Sequence, residues 1–226
     1  THDPNNATTY YRWEYSETWE YTSHYYSSYE YDQVHDTVIP RTQQIYTCWQ
    51  TDSSTSILLG STAKLSSDVI NEMPLVYIQP HDERLSDLYS IWVKQYALDL
   101  NGYNYWSAMQ SNTENIGSIF DPQPNETAGN IHCVTIPSEL VVGYINAGNS
   151  FETRVFISNN SIPAGWNMVP YCPLNVVANL PFDRKKYFTS ELDPINEVTG
   201  GYSASSTDCV DCRLNGGITI KPSFWH

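Results

Sequence analysis

The sequence predicts a mainly β protein with an antiparallel, sandwich-like architecture, one amphipathic helix at about residues 101–116 and a loop-rich C-terminal segment. Near the N-terminus, aromatic and polar side chains alternate strictly, which is the period of a strand. Further short runs of β-branched and aromatic residues are separated by turn residues. The 18 tyrosines against 6 phenylalanines are typical of a secreted or surface β protein.

An alternating segment occupies residues 10–31. Its aromatic side chains stand at odd positions, namely Tyr11, Trp13, Tyr15, Trp19, Tyr21, Tyr25, Tyr29 and Tyr31. One strand of this length would extend about 70 Å, so we expect two or three strands with a turn near Ser16-Glu17 or Ser23-His24. The odd face is interpreted as the core face of a sheet. The alternative is a ligand or partner face that stacks on sugar rings, formed by Trp13, Tyr15, Trp19 and Tyr21.

Later strands are predicted at residues 45–49, 73–78, 88–98, 130–133, 141–147 and 153–158, and an apolar run at 57–63 leads into a short segment at 66–72. The run at 88–98 is long and mixed on both faces, which indicates a central strand covered on both sides. The runs at 141–147 and 153–158 are predicted to pair around a turn at 148–150.

The predicted helix begins near Asn101, a residue type that favours the N-cap position, and ends at Gly117. Its apolar residues at helical spacing indicate a packing face. A loop stiffened by Pro122 and Pro124 then leads to the strand that bears Cys133.

Residues 1–226 are predicted to form a single β-rich domain whose tail, at about 163–226, is rich in loops. The chain has no initiating methionine, and its first residues lack the charged and apolar regions of a signal peptide. We therefore expect a mature or truncated product. No apolar run approaches the roughly 20 residues that a membrane helix needs.

Charge excludes several classes of partner. The chain carries 11 basic against 25 acidic residues, a formal net charge of -14. Such a surface repels a phosphate backbone, so nucleic-acid binding is not expected, and no polybasic segment favours anionic lipid.

The five cysteines, at 48, 133, 172, 209 and 212, suit one or two disulfides in an oxidising compartment. We expect a structural disulfide from Cys172 to either Cys209 or Cys212. The spacing Cys209-x-x-Cys212 also fits a redox motif or half a zinc site, but neither a βαβ context nor a second ligand pair accompanies it. The odd number leaves one cysteine without a partner in the chain.

Catalytic motifs are missing from the sequence: there is no nucleophile elbow, zincin helix, P-loop or dinucleotide fingerprint. The cluster His81-Asp82-Glu83 is interpreted as a turn, and His132 and Cys133 would face opposite sides of a strand. We therefore predict no enzyme, no catalytic residue, no cofactor and no metal. A hydrolase with two carboxylates is a weaker alternative, because sequence does not reveal their separation.

Several motifs carry a resemblance to a known family. They are Y-R-W-E-Y-S-E-T-W-E at 11–20, C-W at 48–49, I-L-L-G-S-T-A-K-L-S at 57–66, V-K-Q-Y-A-L at 93–98, G-S-I-F-D-P-Q-P at 117–124, G-N-I-H-C at 129–133, D-C-R at 211–213 and K-P-x-F-W at 221–225. Together they resemble the domain-of-unknown-function 4249 family of Bacteroidota outer-membrane surface lipoproteins.

The resemblance implies a lipid-anchored protein on the extracellular face of the outer membrane, with a lipobox and an N-terminal β-sandwich region upstream of residue 1. It also implies a partner, a TonB-dependent receptor of the SusC type. The leading hypothesis is therefore a non-enzymatic accessory lipoprotein in nutrient capture or uptake. The alternative is a free-standing glycan- or surface-binding module, with a glycan or peptide as ligand.

Overall fold

The computed structural model describes residues 8–65, 69–114, 129–139 and 141–226. Within these ranges the strands are β1 (Tyr10–Thr22), β2 (Tyr29–Asp32), β3 (Thr37–Pro40), β4 (Thr47–Ser53), β5 (Leu58–Ser61), β6 (Leu88–Leu98), β7 (Ser150–Ser158), β8 (Asn175–Ala178), β9 (Leu192–Val198) and β10 (Gly201–Ser206). The helices are α1 (Leu100–Glu114) and α2 (Pro181–Phe188). The predicted fold class, mainly β with antiparallel sheets, is confirmed.

The largest sheet has the strand order β4-β1-β6-β7, and β5 also pairs with β1. Strand β6 has the predicted bounds and the predicted central place. Strand β1 runs unbroken through Ser16-Glu17 and leaves the sheet at Ser23-His24. The second of the two expected turns is therefore the one that forms.

Three predicted strands, at 73–78, 130–133 and 141–147, do not form. In the last two, a side chain replaces the backbone ladder: Asn130 Nδ2 donates to Ile145 O (2.7 Å), and Ile145 N donates to Asn130 Oδ1 (2.8 Å). Asparagine side chains compete in this way for backbone groups. The predicted strand at 153–158 is present within β7. The predicted loop with Gly117 and the two prolines lies outside the described residues.

Helix α1 is confirmed, but its start differs by two residues from the expectation. The side chain of Asp99 accepts a hydrogen bond from Gly102 N (2.7 Å), and Asp99 O accepts from Tyr103 N (2.9 Å). Asp99, not Asn101, is therefore the N-cap. Neither of the helices described here is long and apolar enough to cross a membrane.

The chain divides into two compact units. Unit 1 comprises residues 1–17, 52–77 and 91–155, and unit 2 comprises 18–51, 78–90 and 156–226. In unit 1, β5 pairs antiparallel with the start of β1, and the buried ring of Trp13 crosses Gly60. A Cβ at Gly60 would lie 2.9 Å from that ring, so only glycine admits this approach.

Unit 2 contains a second antiparallel sheet, of order β8-β10-β9. A two-residue turn joins β9 to β10, and its Gly200 adopts a φ of 84° in the left-handed region. This sheet and α2 surround a small core formed by Val177, Phe188, Tyr202 and Ala204. The predicted loop-rich tail thus also carries three strands, a helix and a core, which the sequence analysis does not resolve.

Two disulfides lie in unit 2. Cys172 bonds to Cys209 and Cys48 bonds to Cys212, across sequence separations of 37 and 164 residues. The expected bond from Cys172 thus takes Cys209 of the two alternatives, whereas the partner of Cys212 was not anticipated. Each cysteine of the C-x-x-C pair belongs to a different disulfide, which is not the arrangement of a redox motif. Cys133 is a free thiol.

Candidate functional site

The odd-numbered side chains of β1, proposed as a sugar-stacking face, are largely internal. Trp13, Trp19 and Tyr21 are 8%, 7% and 2% exposed, and Tyr15 is half-buried. Tyr21 also donates its hydroxyl to Cys212 O at 2.9 Å. A ring packed in a core has no free face for a sugar. This placement favours the core interpretation and moves the search for a site elsewhere.

The even-numbered face of β1 within unit 1 carries a polar cluster. Arg12 and Glu14 stand two residues apart on one strand and therefore share a face. Arg12 Nη1 lies 2.7 Å from Glu14 Oε1, and the hydroxyl of Tyr96, on the neighbouring β6, donates to Glu14 Oε2 at 2.7 Å. Each oxygen of the carboxylate is thus bound by a different residue.

The Arg12 guanidinium also lies over two aromatic rings. Its Cζ is 4.7 Å from the ring centroid of Tyr96 and 4.2 Å from that of Trp106 on α1. Such cation–π contacts contribute about 0.5–2 kcal/mol each. The Arg12 side chain is only 16% exposed. Two rings and one carboxylate therefore fix its position, and Glu14 compensates its charge.

Beside this cluster, unit 1 has a groove of about 290 Å³. Its lining residues come from β1, β6, α1 and the segment before β7; they are Arg12, Tyr96, Ala97, Leu98, Trp106, Tyr144, Asn146, Gly148, Asn149 and Ser150. The volume is at the lower end of the range for small-molecule sites. We call it the Arg12 groove.

The Tyr144 side of the Arg12 groove is held against α1. The Tyr144 ring stacks on Tyr105 with centroids 5.0 Å apart, and its hydroxyl lies 3.4 Å from Asp99 Oδ1. Gly102 is buried beneath it, where a Cβ would lie 2.9 Å from Asp99 Oδ1 and 3.4 Å from Tyr144 Cε1. The helix N-terminus and the tyrosine can approach this closely because residue 102 has no side chain.

The segment at residues 148–149, which also lines the groove, is held against β6 by backbone contacts. Ala97 N donates to Asn149 O at 2.9 Å, and a Cβ at Gly148 would lie 2.5 Å from Ala97 O. The side chains of Asn146 and Asn149 are exposed, and neither amide bonds to another residue in the part of the chain that the structure describes. Two side-chain amides are thus exposed beside the groove without a hydrogen-bond partner among the described residues.

The phenols that line the groove remain protonated in the neutral pH range. Burial, followed by the hydrogen bond to Glu14 and its charge, raises the pKa of Tyr96. Burial and the charge of Asp99 raise the pKa of Tyr144. The groove therefore presents hydroxyl donors, amides and ring faces around one paired cation. Chemically, this is a set of groups that binds by hydrogen bonds and ring contacts.

A family comparison covers this part of the chain. The model of the family described as domain of unknown function (DUF4249) matches residues 1–154. The chain belongs to this family. Every residue that lines the Arg12 groove lies inside the DUF4249 match, whereas the motifs at 211–213 and 221–225 lie beyond it. No curated protein and no solved structure matches the chain.

The other polar clusters noted in the sequence have structural roles. Asp82 caps a short 3-10 helix at Glu83–Leu85 and pairs with Arg84 at 2.8 Å, in agreement with the turn predicted there. No group of three or more His, Cys, Asp or Glu residues could hold a metal ion among the described residues.

Sequence reasoning did not identify the groove, although one signal was present. Arg12 and Glu14 stand at even positions, on the polar side of the alternating segment, and two residues two apart on a strand share one face. Tyr96, Trp106 and Tyr144 belong to three different elements, so their convergence depends on tertiary structure.

Proposed function

We propose that this DUF4249 protein is a non-enzymatic surface lipoprotein of the outer membrane, acting as an accessory subunit of a TonB-dependent, SusC-like transporter in nutrient capture or uptake. The observation that carries the proposal is the family match over residues 1–154, taken with the resemblance of the chain's motifs to Bacteroidota surface lipoproteins. The extracellular face of the outer membrane, reached through a lipid anchor, is the proposed location.

The disulfides support a location outside the cytosol. Cys48–Cys212 and Cys172–Cys209 have Cα separations of 5.8 Å each, which is ordinary disulfide geometry. Disulfides persist in oxidising compartments and are rare where thiols are kept reduced. Two such disulfides are most simply explained if the protein is exported from the cytosol.

The Arg12 groove supports a role in capture. It combines a fixed guanidinium, aromatic rings and two free amides in a volume suited to a small ligand. The same observation favours the second candidate function, a free-standing glycan- or surface-binding module. In that candidate the binding face is the groove and not the odd-numbered face of β1.

Fractionation of native cells separates these proposals. The tagged full-length protein should sediment with outer membranes, incorporate labelled fatty acid and be cleaved when intact cells are treated with protease. It should also co-purify with a β-barrel of the TonB-dependent class after mild detergent extraction, whereas an unrelated outer-membrane lipoprotein handled in parallel should not.

Two results would contradict the proposal in different ways. Recovery in the cytosolic fraction without lipid would exclude a surface lipoprotein. A lipidated surface protein that leaves the membrane without any barrel would exclude the transporter partnership and leave the free-standing module.

A further inference from the structure

We propose that the Arg12 groove is a binding site for a neutral glycan, with Tyr144 as its stacking ring and the amides of Asn146 and Asn149 as its hydrogen-bonding groups. The inference rests on the proposed function for its biological setting, since it names the ligand class of the capture site. The binding itself is a property of the purified chain and is tested without the membrane.

The ring contacts suit a sugar. Tyr105 stacks on Tyr144 with centroids 5.0 Å apart, and Tyr144 lines the groove, so a pyranose ring that enters the groove meets a tyrosine already held in place. The contact of Tyr144 with Tyr105 and the packing of Gly102 beneath it hold the ring in place before any ligand arrives. A preorganised ring lowers the entropy cost of binding.

The polar groups match hydroxyls better than any charged group. Each asparagine amide offers a donor and an acceptor on adjacent atoms, which corresponds to two neighbouring sugar hydroxyls. Asn146 and Asn149 have no competing partner among the described side chains. Arg12 adds a guanidinium, which Glu14 holds through Nη1 at 2.7 Å.

Local charge disfavours acidic ligands. Arg12 is the cation of the groove lining, and Glu14 at 2.7 Å compensates its charge. Lys94, whose Nζ lies 5.2 Å from the Tyr96 ring centroid, is a second cation close by, and the carboxylates named next outnumber it. The carboxylates of Glu152 and Asp99 act on the tyrosines of the groove, since both raise a neighbouring phenol's pKa. The whole chain has a net charge of -14. A uronate or a sugar phosphate would therefore be repelled, and a neutral sugar would not.

The test is a binding screen on the purified chain. Neutral oligosaccharides of two to four sugars are compared with uronate-containing oligosaccharides and with tripeptides, by calorimetry and by tryptophan fluorescence. We expect at least one neutral oligosaccharide to bind with a change in fluorescence, because Trp106 lines the groove. Asn146→Ala and Asn149→Ala should each weaken that binding about tenfold, the effect of losing one or two hydrogen bonds.

Matched controls come from the same unit. Asn104 is exposed on α1 and is not part of the lining, so Asn104→Ala should leave the affinity unchanged. Tyr144→Phe keeps the ring and should lose less affinity than Tyr144→Ala. Positions 146 and 149 are exposed, so alanine there should change the free energy of unfolding by less than about 0.5 kcal/mol, and a failed fold should not obscure the result.

Three outcomes overturn the proposal. Absence of binding by every neutral oligosaccharide does so, as does preferential binding of the tripeptides or uronates. Neutral-glycan binding that is insensitive to Asn146→Ala, Asn149→Ala and Tyr144→Ala places the site elsewhere. None of these results bears on lipid anchoring, so failure here is distinguishable from failure of the proposed localisation.

Discussion

Units 1 and 2 differ in how their interiors are held together. Unit 2 contains both disulfides and a partly buried ion pair, in which Arg41, only 8% exposed, lies 3.2 Å from Asp193. Unit 1 has one cysteine, the free Cys133. Glycines allow rings and backbone to approach closely in both units, for example at Gly60 in unit 1 and at Gly217 in unit 2. Unit 1, which contains the Arg12 groove, has no disulfide among its described residues. Under the proposed function, unit 1 would hold the glycan site, and unit 2 would hold the disulfides that stabilise the chain.

Removing the longer disulfide should have the largest effect. In the loop-entropy description, the Cys48–Cys212 bond across 164 residues stabilises by about 5 kcal/mol and the Cys172–Cys209 bond across 37 by about 4 kcal/mol. We expect Cys48→Ala with Cys212→Ala to lower the free energy of unfolding by about 5 kcal/mol, measured by urea denaturation. Cys133→Ala is the control and should change it by less than about 0.5 kcal/mol. Equal losses in both variants would remove the contrast between the units.

The partly buried ion pair of unit 2 should follow. Arg41 Nε donates to Ser27 Oγ at 3.0 Å and to Tyr29 O at 3.2 Å, and Nη2 donates to Asp193. Asp193→Ala would remove the nearer of two carboxylates from a largely buried guanidinium and leave Glu30, whose Oε2 lies 3.6 Å from Arg41 Nη1, so we expect a loss of about 2–3 kcal/mol. Thermal unfolding should report the loss. Lys221→Ala, at an exposed cation of the same unit, should leave the midpoint unchanged; a comparable shift there would point to net charge as the cause.

A glycine substitution tests how unit 1 is held. Gly60→Ala would bring a methyl group within 2.9 Å of the Trp13 ring, and overpacking of this kind costs about 1–3 kcal/mol. We expect a loss of about 2 kcal/mol in urea unfolding, together with a shift in tryptophan emission. Adding Trp13→Phe should recover part of the loss caused by Gly60→Ala, because the smaller ring makes room. Additive losses would show that the close approach is not the cause.

The smallest effect is expected in alkali. Burial and the charge of Glu83 raise the pKa of Tyr21 from 10 to about 12. The unfolded chain therefore loses this proton at a lower pH than the folded chain does. The resulting stabilisation is complete below pH 10 and disappears between about pH 10 and 12. The expected loss is on the order of 1 kcal/mol, the scale of one pKa unit.

Tyr21→Phe should flatten this part of the pH profile, as measured by urea unfolding across the alkaline range. Tyr26→Phe is the matched control, because Tyr26 is 64% exposed. If both variants retained the alkaline loss, a group other than Tyr21 would be responsible for it.

The sequence was most informative where one period dominates a segment. Alternation located β1 and indicated that Trp13, Trp19 and Tyr21 point into a core, and a long apolar run gave the bounds of β6. The predicted strands at 130–133 and 141–147 were wrong, because the Asn130 side chain bonds to the backbone of Ile145 in place of a strand ladder. Such a side-chain contact does not change the pattern of apolar and polar residues, so the sequence does not reveal it. The Arg12 groove is lined by β1, β6, α1 and the segment that leads into β7, so its residues carry no local signal beyond the spacing of Arg12 and Glu14.

The Cys48–Cys212 bond affects what proteolysis does to the chain. Any single backbone cut between residues 48 and 212 leaves the two pieces covalently joined. A nicked molecule would therefore migrate as one species in non-reducing electrophoresis and separate only after reduction. For a protein exposed to extracellular proteases, a broken loop need not release the segment that carries the Arg12 groove.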